Sequence, residues 1–471
     1  MVRYKTIKLA MIIGLWFLTT VAAGFSTPLA PQPLSEVTIL CYMNGDNDLA
    51  QEVLHALDMM ETVGSSPSVN VIALVDGHPQ WLAPYDAAWS QARLVHLQAD
   101  PEIGRITSPV LEEWGEADLG APETLERFVH MAIDRFPARR YLFYTFAHGQ
   151  GVIDTRCYQA PAPAKTVSMS RDDTSGRKLT MEQFHRALKQ GLDRRRFEMM
   201  VLFSCLANMV EVSYTLSDVT HFVVSSQDEI RLVNQPPGRY QIRGLRFEDL
   251  IARLQARPRT DVRSLGRALV DSHVNSYAKT VLLPGITPSP KACRFAGDMA
   301  LLNAEAMPQL VEALDELARQ LIRHADSPRV VAAMQAALSA TQPFASFLNL
   351  EYYDLQGFVQ HLRAGIRQPD LQAACDRVLN ILAEHILVYA RSTPDCSATG
   401  VSIYLSHPLV PENIYQTHQM LYRANAFSRD THWDEMIQIY RPRLRAIGGT
   451  GLASSSSQKN RQTPEREPAS K

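Results

Sequence analysis

The sequence predicts an α/β protein: a mostly parallel sheet flanked by helices, followed by a mainly helical C-terminal region. Three observations carry this. Apolar runs of five to seven residues alternate with helical patterns from Val37 to Val224, as expected for strands buried on both faces with helices crossing between them. Four of the runs end on turn-forming or chemically active residues: Asn44-Gly45-Asp46, Asp76-Gly77-His78, His148-Gly149 and Ser204-Cys205. Beyond about Gln241 the apolar residues recur at helical rather than strand spacing.

Taken in order, 37–43 (VTILCYM) reads as the first strand. A helix over 49–62 follows, in which Leu54 and Leu57 face away from Asp58. Residues 69–75 (VNVIALV) form the next strand, 124–135 a helix and 141–147 (YLFYTFA) a third strand. The rhythm continues with a helix over 179–191, a strand over 199–203, a helix over 206–216 and a strand over 222–224. Residues 151–178 interrupt it. They are polar, contain Pro161, Pro163 and Gly176, and read as a long surface loop open to proteolytic nicking. Helices are expected over 245–253, 262–277, 308–324, 329–340 and 371–389, with one late strand over 401–405.

The ends of the chain are separate matters. Arg3, Lys5 and Lys8 precede an almost wholly apolar stretch over 9–23, which is shorter than the ~20 residues of a membrane span. Residues 1–24 therefore read as a signal peptide and 25–36 as a Pro-rich linker, the alternative being an uncleaved anchor. The expected organisation is a catalytic α/β domain over 37–240, a helical region over 241–447 and a disordered tail over 448–471. The expected location is outside the cytoplasm, periplasmic or secreted, with no membrane span after signal removal.

Composition limits the function classes. With 47 Lys+Arg against 49 Asp+Glu and 46% hydrophobic residues, the chain has the makings of a core and lacks the positive excess of a charge-driven nucleic-acid binder. No nucleic-acid partner is expected. The six cysteines (Cys41, Cys157, Cys205, Cys293, Cys375 and Cys396) match no zinc spacing and are too few for a disulfide scaffold. No HExxH motif is present among the 14 His.

In open α/β sheets function sits beyond the carboxyl ends of the strands. His148 and Cys205, each ending a strand, form a candidate base and nucleophile. A helix beginning near Leu206 would aim its positive end at the Cys205 thiolate and lower its pKa. Gly149, without a side chain, leaves its N–H free to approach an oxyanion. A lone Cys at the end of an apolar strand is more often a core residue; the pairing of the two strand ends is what favours chemistry.

The motifs as a set resemble the clostripain-like cysteine peptidases of the caspase-fold clan. The similarity begins at YMNGDNDL (42–49), runs through FAHGQG (146–151) and SRDDTSGRKLT (170–180), and is strongest over FSCLANMVEVSYTLSDVTHFVVSSQDEI (203–230). Fainter echoes lie at YYDLQGF (352–358) and TGVSIYLSHP (399–408). The resemblance implies a caspase-like sheet, a His148–Cys205 dyad without an obligatory third acid, and an oxyanion hole from the N–H groups of Gly149 and Cys205. It further implies a protein or peptide substrate hydrolysed through a thioacyl-enzyme. Glu211 matches a family position, although a helix-packing carboxylate is the better reading. Self-cleavage within 151–178 is an expected route of activation.

Two departures concern specificity. Where family members carry an Asp linked to cleavage after Arg or Lys, this chain has Phe203, and the stretch after Ser226 is atypical. Strict basic specificity is therefore not expected, and Phe203, Asp228 and Glu229 are the candidate specificity residues. Asp46 is placed at the active-site edge. Asp46 and Asp48, with Asn44 and Asn47, resemble a cation loop but lack EF-hand spacing, so no cofactor is expected, calcium being the one carried as an option. The other functions kept open are a catalytically weak relative serving as a binding or scaffold protein, and a thiol hydrolase or transpeptidase acting on non-protein amides.

Overall fold

The computed structural model describes residues 34–83, 85–153, 169–230, 245–278, 297–341, 343–344, 351–394 and 396–456. The expected signal peptide, Cys157, Cys293, most of the expected cleavage loop and the last residues of the expected tail lie outside them. The first part of the chain runs β1 (Ser35–Gly45), α1 (Ala50–Glu61), β2 (Val69–Gly77), β3 (Ala92–His96), β4 (Val110–Gly115), α2 (Pro122–Arg135) and β5 (Ala138–Phe146). A small hairpin of β6 (Ser170–Arg171) and β7 (Lys178–Leu179) leads into α3 (Met181–Leu192), β8 (Phe197–Phe203), α4 (Val210–Thr215) and β9 (Thr220–Ser225). Then come α5 (Phe247–Ala256), α6 (Val262–Ala278), β10 (Asp298–Asn303), α7 (Met307–Arg323), α8 (Pro328–Ala340), β11 (Pro343–Phe344) and β12 (Tyr352–Asp354). The remainder is α9 (Leu355–Gly365), α10 (Pro369–Ile381), β13 (Leu387–Ser392), β14 (Ser402–Tyr404), α11 (Glu412–Tyr422), α12 (Ala426–Asp430) and α13 (Trp433–Ser456).

The main sheet, among the described residues, has the order β13-β10-β9-β8-β5-β1-β2-β3-β4. Its five central strands, β2-β1-β5-β8-β9, are parallel, and antiparallel strands close it on both sides. The expected mostly parallel sheet is therefore present. Alternation along the strands sorts the core into two layers: Ile39, Cys41 and Met43 of β1 pack with α1, α5 and α6, whereas Leu40 and Tyr42 face α2 and α3. Each large apolar side chain so buried contributes about 1.5–3 kcal/mol. Helix α3 starts on a capping box, Thr180 with Gln183, directly after the β6–β7 hairpin.

The helical C-terminal region is also as expected, but it does not stand apart from the sheet. β10 and β13, both from beyond residue 240, extend the sheet next to β9, and one continuous core joins Leu40 to Tyr422 and Leu444. The helix expected over 371–389 stops at Ile381, passes through one π-helical turn and becomes β13. A short apolar run satisfies either period, and pairing with the edge of β10 decides for the strand. Helix α13 likewise continues past Gly448, where a tail was expected, to Ser456. Among the described residues no helix is long and apolar enough to cross a membrane.

Candidate active site

The parallel register places the four singled-out strand ends on one edge of the sheet. Gly45 pairs with Gly77, Met43 with Phe146, and Phe146 with Phe203. His148 follows the end of β5 and Cys205 the end of β8. Gly149 lies flat against the Cys205 backbone: a Cβ on it would sit 2.6 Å from the Cys205 carbonyl oxygen and 2.7 Å from the Ser204 Cβ. No other residue type fits this approach. The Ser204 hydroxyl donates to the Ala147 carbonyl at 2.9 Å and ties the two strand ends together.

The His148 ring is held from one side. Its Nε2 lies 2.7 Å from Asp48 Oδ1, in the turn after β1, while the side chain stays 13% exposed. The same Asp48 oxygen accepts from Arg171 of β6 at 2.8 Å, and Arg171 also grips Asp173. The hydrogen bond from His148 holds the Asp48 carboxyl well below the usual carboxylate range, with the charges of His148 and Arg171 adding to it, so Asp48 is an anion at neutral pH. In the sequence Asp48 stands out only as part of the turn that resembles a cation loop.

Cys205 is positioned by a turn, not by a helix dipole. Helix α4 begins five residues later, at Val210, and spans a single short stretch; Leu206 takes a left-handed φ of 57°. The expected thiolate facing a helix N-terminus at Leu206 is thus absent, because a non-Gly residue at positive φ cannot start a helix. Instead the Leu206 N–H donates to the Asp228 carbonyl at 3.2 Å and the Asn208 N–H to that of Ser226 at 2.9 Å. The thiol is half-buried, with Sγ 3.8 Å from the Ile230 carbonyl. Among the described cysteines Cys41, Cys375 and Cys396 are buried and unbridged, and burial pushes the thiols of Cys41 and Cys375 up, that of Cys375 to about 12. Cys205 is the accessible one of the four.

The C-terminal region braces both loops. The Tyr352 hydroxyl of β12 donates to the Gln150 carbonyl at 2.8 Å and accepts from the Ile153 N–H at 2.9 Å, with Gly151 at φ 67° fitted against the same ring. Asp354 accepts from Thr399 and from the Gln227 side chain. Asn208 reaches the carbonyls of Ser225 and Gly400. The likeness at 352–358 and 399–408 was the sequence signal for these braces; their partners were not legible.

The remaining candidates fall less openly. Asp46 is buried; its carboxylate accepts from the N–H and hydroxyl of Thr174 and pins the turn after β6. Burial and the neighbouring Asp46 push Asp172 up to about 6, and burial first, then the Asp46 charge, pushes Asp76 up to about 9. Phe203 is 3% exposed, edge-on to Phe146 and to His273, so its ring belongs to the core. Asp228 is also nearly buried, accepting from the Glu229 N–H at 2.8 Å, whereas Glu229 is half-buried. Asp298 receives Ser226, Gln227 and Asp228 and fixes that turn from below. Glu211 is a packing carboxylate: fully buried, it accepts from the Tyr404 N–H and the Tyr422 hydroxyl, both at 2.9 Å.

The polar side chains of the turn that resembles a cation loop are engaged within the protein. Asp46 is committed to Thr174, Asn47 to the Leu49 N–H and the Arg171 carbonyl, and Asp48 to His148 and Arg171. Among the described residues no three His, Cys, Asp or Glu side chains converge as a metal site.

Comparison with known proteins bears on the fold and the family. Over 196 residues the chain is 28% identical to clostripain of Hathewaya histolytica, a match covering 38% of this chain and about a third (35%) of that protein's length. A secreted C11 cysteine protease from Bacteroides thetaiotaomicron, solved with an irreversible peptide inhibitor, superposes with a TM-score of 0.59 at 16% identity, over 85% of this chain and 100% of that one. An inactive zymogen C11 protease from Parabacteroides distasonis gives 0.58 at 15% identity, over 84% and 98%. At those identities the likeness is one of fold. The model of the clostripain family, peptidase C11, matches residues 41–440, which takes in both strand ends and their braces, and the chain belongs to that family.

Proposed function

We propose that the protein is an exported cysteine endopeptidase in which Cys205 is the nucleophile and His148 the base, without strict specificity for Arg or Lys. The observation that carries the reading is the joint placement of Gly149 against the Cys205 backbone and of His148 Nε2 on Asp48. With Nε2–H donating to Asp48, Nδ1 is the nitrogen left for the thiol proton. Cys205 Sγ gives that proton to Nδ1 and attacks the scissile carbonyl carbon. The N–H groups of Gly149 and Cys205 stabilise the oxyanion. Collapse breaks the C–N bond, and the imidazolium returns its proton to the leaving amine. Water, deprotonated by His148, then hydrolyses the thioester, releasing the acid and restoring the thiol. Asp48 fixes the ring's tautomer and orientation throughout.

Export rests on Arg3, Lys5, Lys8 and the apolar stretch behind them. Mass spectrometry after incubation with an electrophilic peptide probe tests the mechanism. One adduct on Cys205 in the intact protein, and none in Cys205→Ala or His148→Ala, supports it. Labelling that survives Cys205→Ala overturns it.

A further inference from the structure

A second feature lies at the opposite edge of the sheet. The starts of β5, β8 and β9 and the first turn of α6 border a groove of about 590 Å³, within the ~300–1,000 Å³ of ligand-sized pockets. β5 is nine residues long, so at about 3.3 Å per residue the groove lies roughly 30 Å from His148. It is lined by Arg139, Arg140, Arg195 and Arg196, with Glu198 and Glu305 between them.

Two of these guanidiniums are built into the wall. Arg140 pairs with Glu198 and donates to the carbonyls of Pro258 at 2.8 Å and Thr260 at 2.9 Å. Arg196 pairs with Glu305 at 2.9 Å and donates to the Thr220 carbonyl at 2.7 Å. The other two are exposed. Arg139 has Glu36 3.6 Å away, but that carboxylate is already held by both forks of Arg259, and Arg195 makes no ion pair among the described residues. Five guanidiniums thus meet three carboxylates, a local positive surplus in a chain whose net charge is -2.

We propose that this groove binds an extended acidic peptide segment. Exposed Arg139 and Arg195 offer planar forks to carboxylates, the geometry arginine serves best. Glu198 and Glu305, set between the arginines, can also accept from the N–H groups of a peptide, donors that a phosphate backbone lacks. Nor does the groove present an exposed aromatic platform for bases: Phe222 and Tyr141 are buried. A protein held here through an acidic segment reaches the Cys205 edge only with some nine further extended residues, which short peptides lack.

The test is fluorescence anisotropy of a labelled octaglutamate peptide with the full chain carrying Cys205→Ala, so that binding is read without any turnover and independently of the peptidase reading. Saturable binding is expected, weakened at least about tenfold by Arg139→Ser/Arg195→Ser, unaffected by Arg329→Ser at an exposed position of α8 outside the groove, and reduced by salt. Both groove arginines are exposed, so an unchanged unfolding midpoint is the fold control. Equal binding by the groove variant, or no saturable binding by the parent, overturns the proposal. A thymidine oligonucleotide binding more tightly through the same two arginines overturns the choice of peptide.

Discussion

His148 Nε2 and Asp48 Oδ1 lie 2.7 Å apart, and Arg171 reaches the same oxygen from β6. In the proposed mechanism His148 passes a proton between thiol, amine and water, and that task needs one tautomer and one ring orientation. Asp48 supplies both. It is 56% exposed, so its removal costs less than that of a buried triad acid. For Asp48→Ala, kcat/KM is expected to fall about 10–100-fold with KM little changed. Asp48→Asn, which still accepts from Nε2–H, should recover most of the loss. Equal loss in both variants would mean that charge, not orientation, is what Asp48 provides.

Arg171 is linked to His148 through Asp48, while it also holds Asp173. Arg171→Gln should lower kcat/KM by less than Asp48→Ala does. In the double variant it should add almost nothing, since residues of one network are not additive. Steady-state kinetics on the four proteins of this cycle decide it. An additive double variant would assign Arg171 an independent contact with substrate.

Gly149→Ala tests the close approach of the two strand ends. A Cβ 2.6 Å from the Cys205 carbonyl forces the backbones apart, and neither strand end is a flexible side chain that can yield. The expected outcome is a loss of probe labelling by at least about 100-fold, since one oxyanion donor alone is worth ~10²–10³. The shift in unfolding midpoint should stay modest, because the core behind both strands is untouched. Intact labelling would remove Gly149 from the mechanism.

Glu211 gives a pH prediction with a definite sign. Burial pushes its carboxyl up to about 7, against the partial pull of the Tyr404 N–H and the Tyr422 hydroxyl. The folded state therefore binds this proton more tightly than the unfolded state. The favourable contribution is complete below the ordinary Glu value near 4.5 and is lost as pH rises towards about 7. The loss is at most about 3 kcal/mol. Glu211→Gln cannot titrate, so its midpoint relative to the parent should rise between pH 5 and pH 8, whatever constant offset the amide carries. A difference that stays flat with pH would mean that Glu211 is ionised in the fold throughout.

These relationships differ in how far the sequence exposed them. The central strands were legible because each is a mainly apolar run bounded by turn residues, and both chemistry-bearing strand ends follow from that. β10 was missed, as was β13, because pairing with β9 and β10 alone selects a strand there. The helix expected at Leu206 failed on a backbone torsion that no composition reveals: a Leu at φ 57° keeps Cys205 in a turn. Asp48 sat among four polar residues with equal claims until the fold sent Asp46 to Thr174 and left Asp48 to His148. Tyr352 is 202 positions from Gln150 in the sequence, and only closure of the C-terminal region onto the sheet joins them.

Specificity turns on where negative charge meets the substrate. Phe203, which by the family resemblance stands where an acid is expected to pair with a basic side chain, lies in the core, edge-on to Phe146 and His273. Phe203→Asp would bury an unpaired carboxylate there, at a cost of several kcal/mol, and should lower the unfolding midpoint without creating a basic pocket. Asp228 cannot substitute cheaply, because its carboxylate caps the Glu229 N–H and its carbonyl receives Leu206. Glu229 alone of the three is half-exposed, and an ion pair at such a site is worth about 0–1 kcal/mol, which is less than a tenfold preference. A peptide-library cleavage profile should therefore show a broad choice before the cut, with Arg and Lys favoured by less than about tenfold and that residual preference removed by Glu229→Gln. A preference above about 100-fold that survives Glu229→Gln and disappears in Asp228→Asn would show that Asp228 leaves its cap to meet the substrate.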